Sequence, residues 1–153
     1  GGSVIAGDIS MNRLLQMKKR IKLYGIDNCS LICADVEASA PVARGLDAIL
    51  LDVPCSGLGT IRSNPDIRWL FKEENLPTQK ARQSAILRNG FQALGKGRNL
   101  FYTSCSTEPE ENEEVIRELL LDESAAELMG EPYYTLADQD EGEGFFIAVI
   151  RRA

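Results

Sequence analysis

Two residue periods alternate along the chain. Residues 3–8, SVIAGD, are a short apolar run ending in an acid and predict a strand. Residues 10–25, SMNRLLQMKKRIKLYG, then follow a helical period: Leu14, Met17, Ile21 and Tyr24 fall on one face, and Gly25 supplies the stop. CSLICAD (29–35) and LDAILLD (46–52) predict two further strands, each ending in an acid. PTQKARQSAILRNGFQALGKG (77–97) predicts a second helix closed by Gly95 and Gly97, and RNLFYTS (98–104) a fourth strand. A third helix is expected from Thr107 to Leu121, and GFFIAVIRR (144–152) is a last strand, pairing with PYYTLA (132–137).

Strands that alternate with helices and carry continuous apolar runs imply a mostly parallel sheet covered on both faces. The last two strands follow one another without a helix between them, so at least one antiparallel strand is expected to close an edge. Neither an internal repeat nor a low-complexity linker interrupts residues 1–153. The expectation is one α/β domain with its ligand outside the carboxyl ends of the strands.

Composition narrows the chemistry. The chain has 153 residues, 44% hydrophobic and 26% charged, as expected of a globular domain with its own core. No apolar run approaches the ~18 residues of a membrane helix, and no secretory leader is seen, so a cytoplasmic protein is expected. Histidine is absent, which removes Cys-His and Ser-His catalysis and imidazole metal sites from this chain. The net charge of −6 is unevenly spread. Residues 1–107 hold 14 Lys+Arg against 9 Asp+Glu, and residues 108–153 hold 3 against 14. The acidic run reads as a solvated helix face, and charge alone neither supports nor excludes an RNA partner.

Asp8, Asp35, Asp52 and the Thr103-Ser104-Cys105 segment end four successive predicted strands. A single acid at such a place can be a turn or N-cap residue, but the repeated placement points to a site. Asp8, between a strand and a helix, suits an acceptor for ribose hydroxyls. The four cysteines show no metal spacing, and no metal site is expected. Cys29 and Cys33 read as small buried apolar residues. Cys105 precedes Thr107-Glu108-Pro109-Glu110, a capping-box pattern whose helix N-terminus would favour a thiolate. Glu108, Glu110 and Glu111 would oppose it, and a small buried residue is the competing reading. Cys55, between Pro54 and Ser56-Gly57, sits on a turn; it fits neither a phosphatase loop, which needs Arg where Ile61 stands, nor a phosphate loop. In the polar stretch 61–76, Arg62, Arg68 and Trp69 would suit an unstacked base, although Trp69 anchoring a short helix on the core is the preferred reading.

The stretches DVPCSGLGTIRSNPDIRW and FYTSCSTEPEENEEVI, with Cys55 and Cys105 fifty positions apart, resemble the two signature blocks of the RNA cytosine-5 methyltransferases of the Fmu/Sun type. The resemblance runs from Val4 to Arg151. It implies a Rossmann-like methyltransferase sheet, S-adenosylmethionine as cofactor and an RNA substrate, ribosomal or transfer. It further implies that Asp8 holds the cofactor's ribose, that Asp35 lies near its adenine, and that Asp52 stands between cofactor and target base. By the same resemblance Cys105 is the nucleophile, in a Ser-Cys-Ser block where the family has Thr-Cys-Ser, and Cys55 helps release the product.

Two departures accompany the likeness. The family's first strand and glycine-rich cofactor loop, normally upstream of VIAGD, are missing, as is any N-terminal RNA-binding domain. The missing strand would lie centrally, between the strands ending at Asp8 and Asp52. The expectation is therefore a truncated, partial catalytic domain that binds cofactor weakly or not at all, and that could associate through its incomplete sheet. The family's histidine before its final strand is also absent from DQDEGEGFF, and no role is assigned there. Two alternatives stand beside this reading: a methyltransferase in which Cys55 attacks, and a non-catalytic RNA-binding or assembly module on the same fold.

Overall fold

The computed structural model describes residues 2–42, 44–136 and 142–153. Its elements in chain order are β1 (Val4–Asp8), α1 (Met11–Leu23), β2 (Cys29–Cys33), β3 (Leu46–Asp52), α2 (Ile67–Leu70), α3 (Leu76–Ala93), β4 (Leu94–Ser104), α4 (Glu113–Asp122), β5 (Ala126–Leu128), β6 (Tyr133–Thr135) and β7 (Phe145–Arg152). Short 3-10 turns lie at Leu58–Thr60, Glu73–Asn75 and Pro109–Glu111. No helix among the described residues is long and apolar enough to cross a membrane.

The strands form two sheets. β1 and β2 pair in parallel, from Val4 opposite Cys29 to Asp8 opposite Cys33. β3 and β4 pair in parallel, with Asp52 opposite Thr103, and β7 runs antiparallel to β4 with Phe146 opposite Ser104. β5 and β6 share the other edge of β7, both antiparallel to it. This is the expected mostly parallel arrangement with an antiparallel strand, but β7 lies inside the second sheet, with β5 and β6 beyond it, rather than at its edge. Between β1 and β3, where a central strand was expected, no ladder joins the two sheets among the described residues.

The core lies beneath the second sheet. Leu100 and Tyr102 of β4 and Phe146, Ala148 and Ile150 of β7 alternate inward with no exposure. They meet Leu87 and Phe91 of α3 and Val115, Ile116 and Leu119 of α4. These spacings follow from the two-residue period of a strand and the three-to-four-residue period of a helix. The Tyr102 and Phe146 rings meet edge to face, centroids 6.1 Å apart. At Gly90 an added Cβ would lie 2.9 Å from Leu51 Cδ1, so α3 packs closely on β3 here and a larger residue would make the Leu51 side chain shift.

Several expectations are corrected. The sheet is not covered on both faces throughout: Val4, Ile5 and Leu50 are exposed. For the same reason Cys33 is exposed and Cys29 only half-buried, because the two-stranded sheet lacks a second layer. In α1, Leu14 is buried as expected, but Tyr24 is exposed. Gly95 and Gly97 do not close α3, which ends at Ala93 with Leu94 already extended. They lie inside β4, where Gly97 has φ +71 and the ladder with β3 shifts register between Leu46 and Ala48. β5 falls in the acidic stretch read as helix; too short for its own period to show, it is a strand because β7 offers an edge. The 132–137 strand is present as β6, with Ala137 outside the described residues.

Candidate functional site

Within each parallel pair the carboxyl ends lie side by side, and those of β1 and β2 and of β3 and β4 border one cavity of about 460 Å³. Asp8, Asp35, Asp52, Cys55 and Cys105 all line it, together with Ile9, Val36 and Pro54. The residues picked from strand ends are thus brought together, though they come from both sheets and span nearly a hundred positions.

Each carboxylate is held locally. Asp8 Oδ1 accepts the Ser10 N–H at 2.7 Å and pairs with Arg13 at 3.2 Å, which opens α1 while aiming the acid at the cavity. Asp35 Oδ1 accepts the Glu37 N–H at 3.0 Å. Asp52 ends β3, where the Thr103 hydroxyl lies 3.4 Å from its Oδ1. Asp8 and Asp35 therefore do fill the turn roles that compete with a binding role, and both still line the cavity.

The two cysteines touch. Cys55 Sγ and Cys105 Sγ are 2.8 Å apart, and the Cys105 N–H lies 3.3 Å from Cys55 Sγ. Cys55 hangs on the turn that follows β3; Cys105 follows β4, the strand paired with it. Parallel pairing alone makes neighbours of residues fifty positions apart. Contact with Cys105 and burial push the Cys55 thiol far up, outweighing the Gly57 and Cys105 backbone N–H groups that pull it down. The hydrogen bond from Cys55 draws Cys105 down from 9.0 to about 7, against the opposing effects of burial, Asp52 and Glu111. Of the two, Cys105 is therefore the thiol that ionises more readily, and thiolate is the nucleophilic form.

The expected source of that activation is corrected. The helix after Cys105 does not start at Thr107. A 3-10 turn occupies Pro109–Glu111, α4 begins only at Glu113, and neither has a side-chain cap. The helix terminus is displaced because Glu111 turns into the interior instead of lying on a solvated face. A neighbouring thiol, not a helix dipole, lowers the Cys105 pKa.

Glu111 and Asn112 are the residues that the sequence did not disclose. Both have no exposure, and both sit in a charge-rich run that reads as surface. The glycines of the Cys55 turn also acquire a reason. Gly57 has φ +74, and Gly59 donates its N–H to the Cys105 carbonyl at 2.9 Å while accepting from Gly144 N at 2.7 Å. Trp69 is corrected too: it lies on α2 but is 81% exposed, with Leu70 at 73%. It does not anchor that helix on the core.

Comparison with known proteins adds the following. The family profile of 16S rRNA methyltransferase RsmB/F matches residues 1–151. Ribosomal RNA small subunit methyltransferase B of Escherichia coli O17:K52:H18 is 42% identical over 155 residues, covering 96% of this chain and 36% of that protein. Ribosomal RNA small subunit methyltransferase F of Vibrio cholerae serotype O1 is 32% identical over 168 residues, covering 99% of this chain and 36% of that protein. Among solved structures, NSun6 from Pyrococcus horikoshii with SFG superposes with a TM-score of 0.87 at 27% identity, over 99% of this chain and 41% of that one. A methyltransferase homolog protein from the same organism gives 0.83 at 31% identity, over 99% and 54%. The chain spans little more than a third of the curated relatives' length, 36% in both cases.

Proposed function

The chain belongs to the 16S rRNA methyltransferase RsmB/F family, and from that premise we propose that it methylates carbon 5 of a cytosine in RNA, ribosomal or transfer, through a covalent bond to Cys105. The observation that carries this reading is the contact of Cys105 Sγ with Cys55 Sγ at 2.8 Å, which draws the Cys105 thiol down, in a cavity edged by Asp8, Asp35 and Asp52. The same contact, by pushing Cys55 up, argues against Cys55 as the attacking group.

The cavity suits S-adenosylmethionine. Asp8 offers acceptors for ribose hydroxyls, Asp35 an acceptor near the adenine, and Ile9 and Val36 apolar wall. The cofactor supplies an electrophilic methyl group when bound. Carbon 5 of cytosine is too poor a nucleophile to take it unaided. Addition of the Cys105 thiolate to carbon 6 makes carbon 5 enamine-like and able to attack. Asp52, sharing a proton with the ring nitrogen, stabilises the charge that develops there. After loss of the carbon 5 proton to a base, Cys105 must leave. The hydrogen bond from Cys55 that stabilises its thiolate before attack stabilises it again as leaving group. The target base must be unstacked to be reached from both faces. A ribosomal or transfer RNA substrate places this work in the cytoplasm.

In a protein of the relatives' full length, Cys105→Ala is expected to abolish methyl transfer and the covalent RNA adduct. Cys55→Ala is expected to let the adduct form and accumulate, read as a shifted band on a denaturing gel. Transfer and adduct both persisting in Cys105→Ala would overturn the assignment. A second reading, a non-catalytic RNA-binding module, draws on the edges of β1 and β3 beside the cavity, which carry no ladder among the described residues. RNA binding that survives both cysteine substitutions and ignores the cofactor would favour it.

A further inference from the structure

We propose that Glu111 is the positioning residue that holds Cys55 and Cys105 in contact, by gripping the residue that follows each of them. The proposal rests on the reading of Cys105 as nucleophile and Cys55 as its assistant, and names what keeps them together.

The grip is nearly symmetrical. Glu111 Oε1 accepts the backbone N–H of Ser56, the neighbour of Cys55, at 2.8 Å. Its Oε2 accepts the hydroxyl of Ser106, the neighbour of Cys105, at 2.5 Å. The hydroxyls of Ser56 and Ser106 are themselves 3.1 Å apart, which closes the ring. Gln83 of α3 then braces the far side, giving Nε2 hydrogens to Glu111 Oε1 at 3.0 Å and to the Pro54 carbonyl at 2.9 Å.

The next residue repeats the device. Asn112 Nδ2 donates to the Ser106 carbonyl at 2.9 Å, and its Oδ1 accepts the Ser104 hydroxyl at 2.5 Å. The residues flanking each cysteine are thereby tied from outside their own turns, while the two sulfurs face the cavity. Tyr102 fixes the clasp to the sheet by donating its hydroxyl to the Glu111 carbonyl at 2.7 Å.

A carboxylate here is costly for a mere scaffold. Glu111 has no exposure, and no cation pairs with it among the described residues. Burying such a group carries a desolvation penalty that only its hydrogen bonds offset. Its charge also opposes the thiolate beside it, since Glu111 and Asp52 both raise the Cys105 pKa. The arrangement makes sense if what Glu111 does for the geometry of the pair outweighs what its charge costs the thiolate.

That opposition of effects supplies the test, which needs neither RNA nor cofactor. The pH dependence of Cys105 alkylation by iodoacetamide is followed on the mapped peptide by mass spectrometry, with circular dichroism as the check on folding. The wild-type midpoint is expected near 7, where the Cys55 contact places it. Glu111→Gln keeps an acceptor for Ser56 and Gln83 and a donor for Ser106 but removes the charge, so the midpoint should fall. Glu111→Ala releases both turns and with them the contact from Cys55, so the midpoint should rise by about one unit or more, towards that of an ordinary thiol. Should Glu111→Ala not fold, Ser106→Ala cuts one arm of the clasp and should also raise the midpoint. A midpoint that does not fall in folded Glu111→Gln, or does not rise in folded Glu111→Ala or its substitute Ser106→Ala, overturns the proposal. The adduct experiment addresses the nucleophile separately, so either idea can fail without the other.

Discussion

A Cβ at Gly59 would lie 2.2 Å from the Gly144 carbonyl oxygen and 2.9 Å from that of Cys105. Both atoms are backbone, so neither can swing aside as a side chain would. Gly59→Ala should therefore lower the unfolding free energy by about 2–3 kcal/mol in a urea titration. It should also slow Cys105 alkylation, because the strand end that carries the thiol must move. A loss below about 0.5 kcal/mol would show that the loop adapts without cost. The glycine-x-glycine pattern looks weak in sequence because it is common. Its meaning here lies in what packs against Gly59, and Gly144 is eighty-five positions away.

At the scale of elements, α2 presents its aromatic residue outward. Its four residues, Ile67–Leu70, make too short a helix to bury a face of their own. Trp69 is left 81% exposed near Arg62 and Arg68 in sequence. Bases stack on exposed aromatic rings, at about 1–3 kcal/mol per base. Trp69→Ala is thus expected to weaken binding of single-stranded cytosine-rich RNA by that amount, as measured by fluorescence anisotropy of labelled RNA. As the chain's only tryptophan, its own emission should also be quenched on binding. Unchanged affinity and emission would remove α2 from the RNA contact. On the opposite flank, Lys80 of α3 meets Glu114 and Glu118 of α4 at 2.8 Å each. These pairs help dock α4, and so bring the 3-10 turn with Glu111 against the cysteines.

The whole molecule is two sheets around a cleft. Among the described residues β1 and β3 each have a ladder on one side only, and Ile5 and Leu50 at the cleft are exposed. A cofactor bound there would meet walls on the β1–β2 side and the β3–β4 side that no strand ladder joins among the described residues. Ordering those walls costs free energy that is subtracted from binding. We expect this chain to bind S-adenosylmethionine with a dissociation constant of about 0.1 mM or weaker in a calorimetric titration. A family member spanning more of the relatives' length is expected to bind far more tightly. Tight binding by the 153-residue chain would show that the cleft is already ordered.

Periodicity determined much of this in advance. The apolar runs ending at Asp8, Asp52 and Ser104 form strands, and the two acids, Asp8 and Asp52, line one cavity although their strands belong to different sheets. Cys55 and Cys105 were legible as a pair from their blocks. Three things only the tertiary structure decided. What draws the Cys105 thiol down is a sulfur fifty positions away, because β3 and β4 set the two turns side by side. Glu111 and Asn112 are interior, because the donors that satisfy them come from Ser56, Gln83, Ser104 and Ser106 on other segments. Trp69 faces solvent, because a one-turn helix leaves no apolar face to cover it. Local pattern specifies which residues can share an element. Which polar groups can be buried depends on partners that only the fold brings within hydrogen-bonding distance.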